Sequence, residues 1–543
     1  MIRKEIENLI ENSIKNLQKE EIFPKFEMPE ISIEKPEKKT HGDYATNVAM
    51  VIAKQVKKNP LEIAEDIKSK VLNLKSGLFD KIEVAKPGFI NFFISKEYLQ
   101  KQVGEILRQG EKFGRLNLGK NKKTNVEFIS ANPTGPLHIG NGRGAFFGDT
   151  LANILKNAGY EVIKEYYIND TQISNQIQEL GKTALEKGES YLTPYLKQLI
   201  LRLKPSLKKF KSETDAGHFL AKNILGDIRK FVKEKLKIKF DFWISEQNLY
   251  RQDRVKEIYE FLKGKNLVYE KDGAFWLNLS KFNQKDEVLI RENGQPTYFL
   301  ADIAYHKYKI ERTFQKIINI WGADHQGHVP RIKAVMKILG YKGEFDVSIT
   351  QIVRLKRLLP PHRPPTFGGP LGKMSKRKGE IVTLEWLIDE VGLDAARFFY
   401  LMKSLDTQME FDLELAKEQS EKNPVFYIQY AHARICSILK RIKNLEFRIK
   451  NLGLLNHPSE LQLIKQLIRF PEIIEDTAKD YQVQRIPQYA IDLATVFHQF
   501  YRDCRVISET EGVNKSRLNL ISATKIVLKN SLSLMGISAP EKM

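Results

Sequence analysis

The stretch from Asn125 to Ile168 constrains the fold of this chain more than any other part of it. Residues 126–129 form a short apolar run, a loop rich in proline and glycine follows at 131–137, and apolar residues then recur at helical spacing after Asn141. A second strand is predicted at 161–168. Strand, helix and strand in this order form a βαβ unit, which requires a parallel sheet. An α/β domain is therefore predicted here.

Two short motifs, HIGN at residues 138–141 and KMSK at residues 373–376, carry groups that suit phosphate. The first stands at the start of the predicted helix, where backbone N–H groups lack partners within the helix and attract anions. The second stands in a loop rich in glycine and proline, and lysine ammonium groups suit a pyrophosphate leaving group. Taken singly, HIGN fits a helix start that serves only packing, and KMSK fits an exposed basic loop. As a pair on two halves of one sheet, they predict adenylate-forming chemistry.

The length and charge of the chain limit its class. At 543 residues the chain exceeds what one hydrophobic core supports, so about three or four domains are predicted. A formal net charge of +21 predicts a field that attracts polyanions, and nucleic acid is the first partner to suspect. A lysine-rich composition spread over solvated faces is the alternative explanation of that charge.

Cysteine use and hydropathy favour the cytoplasm. The only cysteines are Cys436 and Cys504, so neither a disulfide framework nor a cysteine-based zinc site can be assembled. Residues 1–18 lack the apolar core of a signal peptide, and no run approaches the ~20 apolar residues of a membrane span. We therefore expect a cytoplasmic protein that contacts no membrane and holds no structural metal.

Four regions are expected along the chain. Residues 1–112 have the pattern of a small α+β domain. Residues 113–345 form the α/β catalytic domain, in which the charged stretch at about 175–285 is interpreted as an insertion between the two halves of the sheet. Residues 346–420 hold the KMSK loop and a connecting segment. Residues 421–543 show repeated apolar stripes at helical spacing and are predicted to form an all-α helical bundle.

The second half of the sheet is expected after the insertion. A strand is predicted near 296–300, a helix from Asp302, and a further strand at 317–321 that ends in the polar segment GADHQGH at 322–328. Polar residues thus gather where strands end, and open α/β sheets bind ligands at that edge.

Several segments of the chain match the signatures of one family. The most specific is EFISANPTGPLHIGNGR at 127–143. Others are HGDYATN at 41–47, YYIND at 166–170, TY at 297–298 with DIA at 302–304, MSKRKG at 374–379 and NPVFYIQYAHAR at 423–434. These segments resemble the class I aminoacyl-tRNA synthetases, and specifically the arginyl-tRNA synthetase family. The resemblance spans nearly the whole chain and implies a Rossmann-type parallel-sheet catalytic domain with an insertion, an N-terminal α+β domain and a C-terminal all-α bundle.

The resemblance implies a pocket for arginine. A planar guanidinium carries five donors and a fixed charge, so a selective pocket needs carboxylates in its plane and further acceptors nearby. By family likeness Tyr298 and Asp302 hold the guanidinium. The rest of arginine is contacted by Glu127, Asn132 and Asp324. The alternative is that Glu127 and Asp302 are partners in structural ion pairs. Lysine would leave buried acceptors unpaired, so selectivity is expected at the binding step.

The resemblance also implies two steps without a protein nucleophile. Arginine attacks the α-phosphorus of ATP, which enters with Mg²⁺, and pyrophosphate leaves; the 3′-terminal adenosine of tRNA(Arg) then takes the arginyl group from AMP. The expected catalytic residues, which act by positioning and charge stabilisation, are His138, Asn141, Lys373 and Lys376. The expected ATP contacts are His138, Gly140, Asn141, Gly322, Asp324, His325, His328, Lys373, Met374, Ser375 and Lys376.

The resemblance assigns contacts with tRNA to both ends of the chain. The N-terminal domain is expected to contact the tRNA elbow through Phe89 and Asn91. The bundle is expected to contact the anticodon, because an unpaired base is recognised by stacking on aromatic rings and by hydrogen bonds to its edge. The candidates there are Tyr427, Gln429, Tyr430, His432 and Arg434. The alternative for about half of them is a place in the bundle core. We expect a monomer whose activation step depends on bound tRNA.

The sequence departs from the family pattern in two places. Asn141 replaces the second histidine of the commonest HIGH form, and a proline-rich insert at 358–370 precedes the KMSK loop. Two other functions stay open at this point. One is a class I synthetase for another amino acid, or a related nucleotidyltransferase, and the other is a catalytically idle relative that binds tRNA.

Overall fold

The computed structural model of the protein describes residues 1–74, 77–356, 381–441, 452–506 and 511–543. The predicted fold class is confirmed: an N-terminal α+β unit is followed by a parallel sheet covered by helices and by a C-terminal helical region. The KMSK motif and the proline-rich insert lie outside the described residues. No helix within these five ranges combines the length and the apolar character that crossing a bilayer requires.

The N-terminal unit packs helices on a small sheet. Its elements are α1 (Ile2–Lys19), β1 (Tyr44–Thr46), α2 (Val48–Val56), α3 (Pro60–Leu74), β2 (Phe79–Ala85), β3 (Phe89–Ile94) and α4 (Lys96–Gln109). The three strands pair antiparallel in the order β1-β3-β2. Helix α1 buries an apolar stripe at helical spacing that holds it on this unit.

The central region is built around one parallel sheet. Its elements are β4 (Lys123–Glu127), α5 (Ile139–Asn157), β5 (Glu161–Ile168), α6 (Asn175–Ala184), α7 (Pro194–Leu207), α8 (Glu213–Glu234), β6 (Phe242–Ser245), α9 (Glu246–Arg251), α10 (Arg254–Gly264), β7 (Val268–Lys271), β8 (Ala274–Leu277), β9 (Glu287–Ile290), α11 (Tyr298–Glu311), β10 (Lys316–Gly322), α12 (Val329–Ile338), β11 (Glu344–Thr350) and β12 (Val353–Leu355).

Five of these strands form the sheet, in the order β11-β10-β4-β5-β6, and every pair is parallel. Strands β7 to β9 form a separate antiparallel sheet. Val126, Tyr166 and Ile318, one from each of the three inner strands, are fully buried. Burial of the inner strands is expected because helices cover both faces of a parallel sheet.

Two local predictions are wrong. Strand β6 lies inside the charged stretch that the sequence assigns to an insertion, yet it pairs with β5 as an edge strand of the main sheet. Residues 296–300 are not a strand, because α11 begins at Tyr298. Thr297 is the N-cap, and its hydroxyl oxygen accepts the backbone N–H of Leu300.

The described residues from 381 onward are mostly helical and include one short strand. Their elements are α13 (Leu384–Val391), α14 (Leu393–Leu401), β13 (Met409–Phe411), α15 (Leu413–Lys417), α16 (Pro424–Arg441), α17 (Pro458–Ile468), α18 (Phe470–Asp480), α19 (Arg485–Asp503) and α20 (Glu511–Leu534). Strand β13 pairs parallel with β12.

Two buried arginines fasten α5 to the C-terminal half of the chain. Arg143 of α5 is 1% exposed and donates to the carbonyl oxygen of Tyr400 at 3.3 Å. Arg397 of α14 donates to the Asp149 carboxylate of α5 at 2.8 Å and to the carbonyl oxygen of Met535 at 3.0 Å. The helix that carries HIGN is therefore held in place from the side of the helical region.

The N-terminal unit also touches the helical region directly. Arg3 of α1 pairs with Glu475 at 2.6 Å and with Asp476 at 2.8 Å, both on α18. The Tyr44 hydroxyl donates to Glu472 of the same helix at 3.0 Å. The two regions that the sequence assigns to tRNA contacts are thus in contact with each other.

Candidate active site

The carboxyl ends of the parallel strands meet at one edge of the central sheet. After β4 the chain moves outward through β5 to β6, and it returns on the other side of β4 with β10 and β11. The strand order therefore reverses between β4 and β10. Open α/β sheets bind ligands in the crevice at such a reversal, so the candidate site lies along this edge.

His138 of the HIGN motif is the N-cap residue of α5, and the other three residues of the motif form the first turn of this helix. The side-chain oxygen of Asn141 accepts the backbone N–H of His138 at 2.9 Å, so Asn141 caps the helix. A Cβ on Gly140 would lie 2.9 Å from the His138 imidazole, and one on Gly142 would lie 2.8 Å from the Tyr400 ring. The glycines thus serve close packing, as in the alternative for this motif.

The backbone of this motif is paired with the chain that follows KMSK. His138 forms an antiparallel bridge with Thr383. Ile139 N donates to the Val382 carbonyl oxygen at 3.0 Å. The start of α5 is thus held by residues 382–383, which follow KMSK in the sequence.

The loop after β4 has a strained backbone. Ile129 and Ser130 have φ values of 68° and 37°, which side chains other than glycine rarely adopt, least of all a β-branched one. Hydrogen bonds fix this conformation: Ser130 Oγ accepts the backbone N–H of Tyr167 at 3.1 Å, and Ala131 N donates to the Tyr166 hydroxyl at 3.1 Å. Asn132, a predicted arginine contact, is on this loop. The sheet thus sets the position of Asn132.

Glu127 has a cation of its own inside the protein. It ends β4, is 3% exposed, and its Oε2 accepts Lys309 Nζ at 2.6 Å. Lys309, which is fully buried, also donates to Asn319 at 2.9 Å, and Ser130 donates to the other Glu127 oxygen at 3.1 Å. This geometry is that of the structural ion pair, the alternative considered for Glu127.

The two residues expected at the guanidinium lie on one face of the first turns of α11. Tyr298 is 44% exposed, and its hydroxyl is 2.8 Å from Ser174 Oγ. Asp302, four residues later, lies 3.1 Å from His328 Nε2. Both acceptor groups therefore face the edge of the sheet beyond β5 and β6.

Glu246 is an acidic residue at this edge that the sequence reasoning missed. It is the first residue after β6, it is 1% exposed, and neither carboxylate oxygen has a hydrogen-bond partner among the described residues. Burial, together with the charges of Asp302 and Asp170, raises the pKa of Glu246 to about 8. The Tyr167 hydroxyl beside it is likewise buried without a partner in that part of the chain.

A sequence signal for Glu246 existed. The short apolar run at 242–245 precedes it, and the rule that polar residues gather at strand ends applies there as it does at Glu127. Interpretation of the whole 175–285 stretch as an insertion concealed this signal.

These side chains surround a small cavity. It is lined by Ile173, Asn175, Glu246, Tyr250, Arg291, Pro296 and Tyr298. Its volume of about 10 Å³ is close to that of one water-sized probe, so the cavity must widen to admit a larger group. Buried carboxylate and hydroxyl acceptors, with Asp302 nearby, make it suited to a cation that carries several N–H donors.

The residues expected around the nucleotide follow β10. Gly322 ends this strand, and a Cβ there would lie 2.5 Å from an Asp324 oxygen, so glycine makes room for that carboxylate. Asp324 and His325 are exposed, while His328 is largely buried beside Asp302. Within the described ranges, no group of three or more His, Cys, Asp or Glu side chains is placed to hold a metal ion.

The candidates for tRNA contact divide into two groups. Phe89 is exposed at the start of β3, but Asn91 is 5% exposed and faces the interior. On α16, Gln429 donates to Asp394 at 2.8 Å. His432 is buried, with its Nδ1 2.8 Å from the Pro540 carbonyl oxygen. Asn91, Gln429 and His432 thus belong to internal packing in this conformation.

The other three residues on α16, Tyr427, Tyr430 and Arg434, line an aromatic groove of about 560 Å³ shared with α19. The Tyr427 ring lies 4.6 Å from that of His498, and the Arg434 guanidinium lies 4.3 Å from the Tyr501 ring. Planar side chains arranged in this way suit the stacking of a base.

Comparison with known proteins identifies the family. A model of the arginyl-tRNA synthetase N-terminal domain matches residues 4–94, a class I (R) tRNA synthetase catalytic-domain model matches 102–190 and 202–409, and a DALR anticodon-binding domain model matches 428–543. An arginine–tRNA ligase of Caldanaerobacter subterraneus subsp. tengcongensis is 44% identical over 568 aligned positions, which cover 100% of this chain and 99% of that one. The chain belongs to the arginyl-tRNA synthetases.

Solved structures agree with this assignment. An arginyl-tRNA synthetase of Campylobacter jejuni is 33% identical with a TM-score of 0.72, and the match covers 83% of this chain and all of the other. The arginyl-tRNA synthetase of Thermus thermophilus has a TM-score of 0.78 over the full length of both chains at 21% identity, which supports the fold alone. The protein is thus a class I synthetase, and neither a synthetase for another amino acid nor an idle relative is favoured.

Proposed function

We propose that this arginyl-tRNA synthetase joins arginine to AMP and then transfers the arginyl group to the 3′-terminal adenosine of tRNA(Arg). The observation that carries the proposal is the buried Glu246 carboxylate, which has no hydrogen-bond partner among the described residues. A buried carboxyl group without hydrogen bonds is costly, and its ionised form is more so. A ligand that brings positive charge and several donors offsets this cost, and membership of the family supports arginine as that ligand.

The guanidinium pocket consists of Glu246, Asp302 and the hydroxyls of Tyr298 and Tyr167. Two carboxylates and two hydroxyls provide acceptors for the donors of a planar guanidinium. Because the cavity has room for about one water, the contact between Ser174 and Tyr298 opens when arginine enters. Lysine lacks the planar fork, so it leaves acceptors in this pocket unpaired.

The remainder of arginine is held at the strand ends nearer the nucleotide. Asn132 and Asp324 contact its α-amino and α-carboxylate groups. Glu127 is already paired with Lys309, so its part is to position the strained loop through Ser130. Activation then depends on the geometry of this loop as well as on direct contacts.

ATP, with Mg²⁺, lies over the start of α5. His138 and the first turn of this helix hold the phosphates, and Lys373 and Lys376 stabilise the charge that grows on the departing pyrophosphate. Gly322, Asp324 and His325 lie toward the ribose and adenine. Neither step uses a protein nucleophile, so catalysis consists of positioning and charge stabilisation.

The tRNA contacts both ends of the chain. The groove lined by Tyr427, Tyr430 and Arg434 holds an unpaired anticodon base, because its aromatic rings and its guanidinium supply stacking surfaces. Phe89 is the exposed candidate for the elbow contact. We further propose that the chain acts as a monomer, with domains at 1–112, 113–345, 346–420 and 421–543.

Pyrophosphate exchange into ATP, measured with each amino acid in the presence and absence of tRNA(Arg), tests the proposal. We expect exchange with arginine, stimulated by tRNA, and none with lysine. The variant Lys376→Ala should lower the exchange rate while the Kd of arginine, measured by calorimetry, stays unchanged. Exchange with another amino acid, or binding of tRNA without any exchange, would contradict the proposal.

A further inference from the structure

The basic charge of this protein is concentrated in one helical hairpin. Between Pro194 and Lys239 the chain has thirteen Lys or Arg residues against four Asp or Glu. This excess of nine is a large share of the net charge of +21, although the segment is short.

The hairpin consists of α7 and α8, which are joined by residues 208–212. The Tyr195 hydroxyl on α7 donates to Asp227 of α8 at 2.8 Å. Helix α8 in turn packs closely on α6, because a Cβ on Gly181 would lie 1.7 Å from the Glu213 carbonyl oxygen. The apolar faces of both helices are buried, so their charged faces point outward. The hairpin is thus a rigid support for an exposed basic surface.

Few of these charges are neutralised within the protein. Arg202, Lys204 and Lys235 form ion pairs with carboxylates. The other ten basic residues of the hairpin form no ion pair with another residue in the described ranges. Three of them, Lys208, Lys209 and Lys211, lie together at the exposed tip between the two helices. Unpaired cations side by side repel one another, and an approaching polyanion relieves that repulsion.

Helix α8 of the hairpin contacts the edge of the sheet that carries the candidate arginine cavity. His218, in the second turn of α8, has its Nδ1 3.1 Å from the carbonyl oxygen of Asp170, just past the end of β5. Helix α6 begins at Asn175, which lines the cavity. The basic surface is therefore beside the candidate site.

We propose that the tip and the outward faces of α7 and α8 bind the phosphate backbone of the double-helical acceptor arm of tRNA. The proposal rests on the function proposed above, because a tRNA whose 3′ end enters the site must carry its paired stem past the adjoining edge of the sheet. An RNA helix presents closely spaced phosphates, and lysines contact them without reading sequence. This surface therefore supplies affinity and orientation, while the anticodon groove supplies recognition of a base.

The test compares two sets of three lysines in the full chain. The variant Lys208→Gln/Lys209→Gln/Lys211→Gln removes the charge of the tip. The control Lys333→Gln/Lys337→Gln/Lys342→Gln removes three exposed lysines on and after α12, beside β11 at the opposite end of the sheet. The Kd of tRNA(Arg) is measured at several salt concentrations for both variants and for the unchanged protein. The Kd of arginine and the melting temperature are measured alongside.

The tip variant should raise the Kd of tRNA at least about tenfold at 0.1 M salt and lower the slope of log Kd against log salt by about two. The control should change neither quantity appreciably, and arginine binding should be the same in all three proteins. A hairpin RNA that reproduces only the acceptor arm should compete with tRNA on the unchanged protein and compete far less on the tip variant.

An unchanged Kd and slope in the tip variant would overturn this proposal, and so would an equal loss in the control. Failure of the acceptor-arm RNA to compete would also overturn it, because the surface would then contact another part of the tRNA. Absence of exchange with arginine in the unchanged protein would instead contradict the function proposed above, so the two failures are distinguishable.

Discussion

Glu127 and Glu246 are two carboxylates at the same edge of one sheet, and they differ in what surrounds them. Both are buried, and both stand at the end of a parallel strand or directly after it. Glu127 receives the Lys309 ammonium at 2.6 Å, whereas Glu246 has no partner among the described residues. A carboxylate whose cation is internal contributes to the fold. One whose cation is missing is suited to a cationic ligand.

The largest expected effect concerns the internal pair. Lys309→Met leaves the Glu127 charge buried without its cation, so we expect a loss of about 3–5 kcal/mol in the free energy of unfolding. Denaturant unfolding checks this value. Combination with Glu127→Gln should restore much of the loss, because no unpaired charge then remains. A loss below 1 kcal/mol in Lys309→Met would show that the pair contributes little and would weaken the distinction from Glu246.

The second prediction concerns the carboxylate without an internal partner. Glu246→Gln removes one charged acceptor for the guanidinium, so the Kd of arginine should rise about 100-fold, which corresponds to about 3 kcal/mol. The free energy of unfolding should stay the same or increase, because the cost of burying an ionisable carboxyl group is removed. Calorimetry with arginine and with ATP separates the two ligands. Equal losses for both would show that Glu246 acts on the fold rather than on arginine.

The third prediction uses pH. Because burial and the charges of Asp302 and Asp170 raise the pKa of Glu246 to about 8, the free carboxyl is mostly protonated near neutrality. Arginine requires the carboxylate, so its affinity should increase about 50-fold as the pH rises from 6 to 8 and level off above about pH 9, with release of a proton on binding below that pH. Titration in buffers of different ionisation enthalpy measures that proton. The Glu246→Gln variant is the control and should show a flat profile.

The smallest expected effect is at Asp302. Its side chain is partly exposed, and one carboxylate oxygen lies 3.1 Å from His328 Nε2. Asp302→Asn should raise the Kd of arginine roughly tenfold and leave ATP affinity nearly unchanged. The ratio of the two losses, measured by calorimetry, is the critical quantity. An effect larger than that of Glu246→Gln would reverse the order of importance that burial assigns to these two residues.

Sequence patterns predicted the parts of the fold that depend on local periodicity. Residues 161–168 form the predicted strand with the same bounds, because their apolar residues and the flanking turn residues define it locally. The error at 296–300 has a local cause as well. A threonine followed by aromatic and apolar residues is typical of a strand, and the pattern predicts a helix only when Thr297 is recognised as its N-cap.

The candidate site was predictable only in part, because its decisive features join distant residues. The pairing of Glu127 with Lys309 connects positions 182 apart, and no local pattern specifies it. Glu246 stays hidden until β6 is known to pair with β5, since only that pairing brings it to the edge of the sheet. The roles of KMSK rest on the sequence, because that motif lies outside the described residues.

The small volume of the cavity beside Glu246 has a consequence for accuracy. A space of about 10 Å³ opens only when the ligand that enters offsets the free energy of separating its walls, and a cation that pairs with the Glu246 carboxylate does so. Amino acids with neutral or short side chains would therefore fail to bind, and no ATP would be consumed on them. Discrimination between amino acids would then occur when the cavity opens, ahead of the chemical step.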